Sequence, residues 1–135
     1  MKGFRYTNKN LFFVRFNEGE DILLSLRKAV ADYGIKNAVI LSGLGSIVSY
    51  HFHVVDSFVN PPREVFPKGE QPCDIVNING FVIDGRVHAH ITISDAKVAF
   101  GGHLEEGCKI LTFGVVTMAE MADADFTDWD AIKDI

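Results

Sequence analysis

Apolar positions change period along the chain, and each change marks an element. Residues 11–16, Leu-Phe-Phe-Val-Arg-Phe, are aromatic and β-branched over a short length and predict a strand. Between 21 and 33 the apolar residues Ile22, Leu23, Leu26, Val30 and Tyr33 recur at helical spacing. Glu18, Glu20 and Asp21 stand at the start of this stretch and Gly34 just beyond its end, so it predicts an amphipathic helix. Residues 38–44 form a continuous apolar run ending in Ser42-Gly43-Leu44-Gly45, which reads as a buried strand followed by a tight turn. Residues 46–55 then alternate, with Tyr50, Phe52 and Val54 on one face and Ser49, His51 and His53 on the other.

Residues 56–72 hold all four prolines and predict a loop with a short edge strand around Val65. Two strands follow, 74–83 and 85–94, joined through the hairpin-favouring pair Asp84-Gly85. Residues 97–104 contain the turn Gly101-Gly102-His103, and 109–119 form a last long strand rich in Val, Ile, Phe and Thr. Strands in runs beside one segregated helix give an α+β class with a mostly antiparallel sheet.

At 135 residues the chain is expected to form one domain. Lys+Arg number 13 against Asp+Glu 18, a formal charge of -5, with four aspartates between 123 and 130. That balance repels polyanions and argues against direct DNA binding, which needs clustered cations to displace counterions. Trp129 reads as an anchor for the acidic tail. Cys73 and Cys108 show no metal or redox spacing and read as buried apolar residues of a reducing compartment. There is no apolar targeting segment and no run long enough to span a bilayer, so a cytoplasmic, membrane-free protein is expected.

The candidate chemistry lies in the histidines. His88-Ala89-His90 sets two imidazoles on one face of a strand with Cα atoms about 6.6 Å apart, close enough to converge on one ion. His103, behind two glycines that allow close backbone approach, offers a third ligand. Three neutral nitrogens suit zinc, nickel or iron(II) and leave a coordination position open. The plainer alternative is a solvated pair on a polar strand face. His51 and His53 share the same spacing but have no evident third ligand, and read as a half-exposed strand face. Glu120, just past an apolar strand, is a candidate accessory carboxylate. Neither Ser42-Gly43-Leu44-Gly45 nor Cys108 carries a phosphate-loop or catalytic-thiol signature.

The stretch Gly85-Arg-Val-His-Ala-His-Ile-Thr-Ile-Ser-Asp95, followed by Gly101-Gly-His-Leu-Glu-Glu-Gly-Cys108, resembles the prokaryotic PPC (plant and prokaryote conserved) domain. Ser42-Gly-Leu-Gly-Ser-Ile47 and Cys73-Asp-Ile-Val-Asn-Ile-Asn-Gly80 are similar to further stretches of that family, so the resemblance runs from about Phe12 to Glu120. It implies an antiparallel sheet flanked by a helix, a homotrimer, and a metal, zinc by resemblance, held by His88, His90 and His103. Plant relatives join the domain to a basic AT-hook, which this sequence lacks. Their partner-recruiting Gly-Arg-Phe-Glu-Ile-Leu stretch is replaced by Gln71-Pro-Cys-Asp-Ile-Val76. Two functional readings result. One is a trimeric metal protein whose open position takes a small ligand or water. The other is an assembly or regulatory module that recruits protein partners or associates with DNA. A cupin-like metal barrel shares the HxH pattern, but the early helix and the short chain count against it.

Overall fold

A computed structural model describes residues 10–131. The elements in chain order are β1 (Leu11–Asn17), α1 (Ile22–Asp32), β2 (Ala38–Val55), β3 (Glu64–Val65), β4 (Lys68–Ile83), β5 (Arg86–Ser94), β6 (Ala99–Leu104) and β7 (Lys109–Glu120). All pairings are antiparallel, in the order β1-β7-β2-β4-β5-β6, with β3 on the edge of β2.

Helix α1 forms where its spacing predicts. The Asp21 carboxylate caps it by accepting from Leu24 N at 3.1 Å, and its second oxygen accepts from Gly107 N at 2.7 Å. Ile22, Leu23, Leu26 and Val30 are buried, and the helix packs against β1 and β5. Tyr33 falls just past the helix and is exposed, its ring against Phe12. Asp84 and Gly85 both take positive φ (50° and 76°), as a two-residue hairpin between β4 and β5 requires.

Two expected turns are strands instead. Strand β2 runs unbroken through Ser42-Gly43-Leu44-Gly45, with register irregularities against β7. Its glycines serve close approach: a Cβ on Gly43 would sit 2.5 Å from the Cβ of Ile78. Gly101-Gly102-His103 likewise lies inside β6. A methyl at Gly101 would overlap the Ile91 carbonyl of β5, and one at Gly102 the His53 carbonyl of β2. The proline-rich loop is also shorter than expected, since β4 begins at Lys68.

Long β2 makes a further contact that periodicity does not reveal. Its distal end pairs with β6, Phe52 with Leu104 and His53 with His103. Strands β2, β4, β5 and β6 therefore close on themselves. The row His53, His103, His90, Asn79 returns to β2 near Ile40, so the ring is strongly sheared. Phe16, Leu26, Ile40, Ile47, Ile78, Ile91, Leu104 and Met118 belong to one buried cluster that joins the helix to this ring. Among the described residues no helix is long and apolar enough to cross a membrane.

Candidate metal centre

Strand β5 buries Ala89, Ile91 and Ile93 and turns His88 and His90 to the other face. Strand β6 sets His103 directly opposite His90. The three ring centroids lie 5.8 Å (His88 to His90), 4.7 Å (His88 to His103) and 5.4 Å (His90 to His103) apart, and one nitrogen from each falls within 4.8 Å of the others. Imidazoles bound to one tetrahedral ion through nitrogens about 2.0–2.1 Å from it have centroids about 5 Å apart. The three rings bracket that value, so this donor set fits a divalent ion with a position left open.

Electrostatics favour the ligand form of His90 and His103. Burial, then the neighbouring His88 and His53, lower the pKa of His90. Burial, reinforced by His53, His88 and His90 and opposed by Glu105, lowers that of His103 to about 4. At neutral pH His103 is an uncharged donor.

Residues outside the predicted set complete the surroundings. Asp130 Oδ2 lies 3.7 Å from His88 Nδ1, and Arg86 donates to the same carboxylate at 3.2 Å. The 3.7 Å separation is too long for a hydrogen bond, but the carboxylate sets a negative charge beside the cluster, which favours a bound cation. His53, in register with His103, stacks on it at 4.3 Å. Its Nδ1 is 2.5 Å from Glu105 Oε1 and its Nε2 is 3.5 Å from Glu64 Oε1. Beside the histidines opens a cavity of about 490 Å³, walled by His53, Val54, Val55, Pro62 and Glu64.

The other candidates lie apart. Glu120 pairs with Ala38 and takes a 3.5 Å hydrogen bond from Asn10 Nδ2. By strand spacing it is three strands, about 14 Å, from β5. His51 is tied by Nδ1 to the Glu106 carbonyl at 2.7 Å, away from the cluster. Cys73 and Cys108 are buried and unpaired with each other, and burial pushes the Cys108 thiol up to about 11, far from a reactive thiolate. Sequence reasoning missed His53, Glu105 and Asp130. Glu105 stands two positions after His103, just past the end of β6, and that short spacing is a readable signal. His53 needed the closing β2–β6 pairing, and Asp130 the path of the tail.

Fold and cluster together define an α+β protein with a histidine-rich face at the seam of a closed antiparallel ring. The chain belongs to the Plants and Prokaryotes Conserved (PCC) domain family, whose model matches residues 4–122. Among solved structures it is similar to a metal-containing protein from Archaeoglobus fulgidus, with 21% identity, TM-score 0.77, and 92% of this chain and 89% of that one covered. It is also similar to a plant- and prokaryote-conserved protein from Pyrococcus horikoshii (22%, TM-score 0.72, 91% and 87% covered). A candidate DNA-binding protein from Bacteroides thetaiotaomicron is a third (20%, TM-score 0.71, 89% and 86%). Curated relatives include the bifunctional protein GlmU of two Synechococcus strains, 23% identical over 118 residues and 24% over 115. These alignments cover 87% and 84% of this chain, which spans 18% of the length of either relative.

Proposed function

We propose that this chain is a metal-binding protein in which His88, His90 and His103 hold one divalent transition ion, with zinc the best match to three imidazole nitrogens. The observation that carries the reading is the register of β5 and β6, which sets His103 opposite His90 while His88 shares their face. When bound, the ion supplies Lewis acidity at a position open to a small ligand or water. The chain's own groups do the rest. Asp130 places a negative charge 3.7 Å from His88 Nδ1, the β5–β6 ladder fixes the spacing of the rings, and Val54, Val55 and Pro62 give the adjoining cavity an apolar wall. Metal analysis of protein purified without a histidine tag tests the reading. At least one equivalent is expected, and the metal content should fall in both His88→Ala and His103→Ala; an unchanged metal content in both variants refutes it.

A second reading, a homotrimeric assembly module, is favoured by an exposed apolar surface. Leu44 (54% exposed), Val76 (55%) and Phe113 (42%) lie on the neighbouring strands β2, β4 and β7. A free surface of that kind is covered at low cost by further copies of the chain. Light scattering after gel filtration is expected to give a trimer, and a monomer at micromolar concentration removes the idea. With a formal charge of -5, the chain is expected to leave a non-specific duplex unbound near physiological salt.

A further inference from the structure

His103 has ligating neighbours on both sides. Strand β6 lies between β5 and β2, and in the same register row His90 flanks His103 on one side and His53 on the other. Glu105 follows two residues later, just past the end of β6. One donor atom each from His53, His103 and Glu105 falls within 4.8 Å of the others, as for His88, His90 and His103. Among the described residues, two three-residue donor sets thus meet at one imidazole.

We propose that His53, Glu105 and His103 form a second divalent metal position, filled together with the first and joined to it through the His103 ring. This rests on the three-histidine reading above, since the ring is shared. An imidazole offers two nitrogens on opposite sides. His88 and His90 lie on β5 and His53 on β2, on opposite sides of the strand that carries His103, so the two sets flank its ring from different directions. Taking the second ion requires the ring to release its remaining N–H proton to solvent.

The contacts of His53 suit a ligand. Its Nδ1 lies 2.5 Å from Glu105 Oε1, within hydrogen-bond distance, so the two donor atoms already face one another as two ligands of one ion would. Its Nε2 faces Glu64 at 3.5 Å, the outer carboxylate that metal-bound histidines characteristically carry on the nitrogen away from the ion. The donors also differ in kind from those of the first position. Two histidines and one carboxylate with open positions form the facial set used by six-coordinate iron(II) and its neighbours. The centroid separation of 4.3 Å between His53 and His103 corresponds to an angle of about 85° at an ion with ordinary metal–nitrogen distances, nearer octahedral than tetrahedral.

Cobalt(II) titration of metal-free, untagged protein tests this, with stoichiometry read by elemental analysis and geometry by visible absorption. Two equivalents are expected for the wild type, one in each of His53→Ala, Glu105→Gln and His90→Ala, and none in His103→Ala. The ion remaining in His53→Ala should absorb as four-coordinate cobalt and that in His90→Ala as six-coordinate. Circular dichroism confirms folding, and Glu105→Gln, which keeps the side chain's shape, guards against loss through misfolding. A wild type that takes one equivalent, unchanged in His53→Ala and Glu105→Gln, overturns the second position and leaves the first. One equivalent that survives His90→Ala but not His53→Ala overturns the three-histidine reading, and this proposal with it.

Discussion

Replacing Gly102 with alanine isolates what the glycine pair does for the site. The added methyl would overlap the His53 carbonyl and stand 2.7 Å from Val54 Cγ1 and 3.0 Å from Phe52 Cδ2. Carbon atoms in contact sit about 3.5–4.0 Å apart, so β2 and β6 must separate by about 1 Å. Movement of β6 the other way is blocked, because Gly101 already approaches the Ile91 carbonyl of β5 too closely to carry a Cβ. Metal–ligand distances tolerate only about 0.2 Å. The displacement falls beside His103, and metal affinity is expected to drop by about 10–100-fold, the range seen when ligand support is removed. Overpacking should also cost about 1–3 kcal/mol in the metal-free protein. Competition against a chromogenic chelator measures the first effect and thermal unfolding the second. Gly85→Ala is the control: its φ of 76° makes alanine strained, yet nothing lies within 4 Å of the new methyl, so it should lose stability and keep affinity. If Gly102→Ala binds metal within twofold of the wild type, strand spacing at β6 does not govern the site.

Asp130→Asn removes the negative charge 3.7 Å from His88 Nδ1 and should weaken metal binding up to about tenfold with little change in the melting temperature, as the same chelator competition will show. The metal-free protein should lose stability in acid through His103. Its folded pKa of about 4 lies below the unfolded value of about 6.5, so the unfolded chain binds more protons between them. The contribution is complete above about pH 6.5 and disappears as the pH falls towards 4, a loss of about 1–2 kcal/mol once solvent screening is allowed for; urea midpoints at pH 7 and 4.5, compared with His103→Gln, measure it. Asn37 is buried, donates to the Ala124 carbonyl at 3.0 Å and accepts from Asp84 N at 3.1 Å, joining the tail to the hairpin. Asn37→Ala should cost about 2–3 kcal/mol in denaturant unfolding, and a loss under about 0.5 kcal/mol would show that those groups find other partners.

The sequence carries the local half of this structure well. Helix α1, the Asp84-Gly85 hairpin and the alternation of β5 follow from spacing, because each depends on residues a few positions apart. Glycine is where local reading fails. In Ser42-Gly43-Leu44-Gly45 and Gly101-Gly102 it stands for a missing Cβ at a crowded strand contact, not for a turn, and a composition rule cannot separate the two uses. Ile78 and the His53 carbonyl decide the matter, and both are far away in the chain.

The same distinction explains why His53 reads as an ordinary half-exposed strand residue. On β2 alone it has no third ligand near it in sequence. Its neighbour is supplied by β6, 50 residues on, and only because β2 is long enough to bend past β7 and pair with β6 at its distal end. Closure of the ring therefore brings the fourth imidazole to the other three, and the glycines of β6 permit that closure. A residue that widens the β2–β6 seam should thus disturb His53 and His103 together while leaving the His88-to-His90 spacing, set within one strand, unchanged.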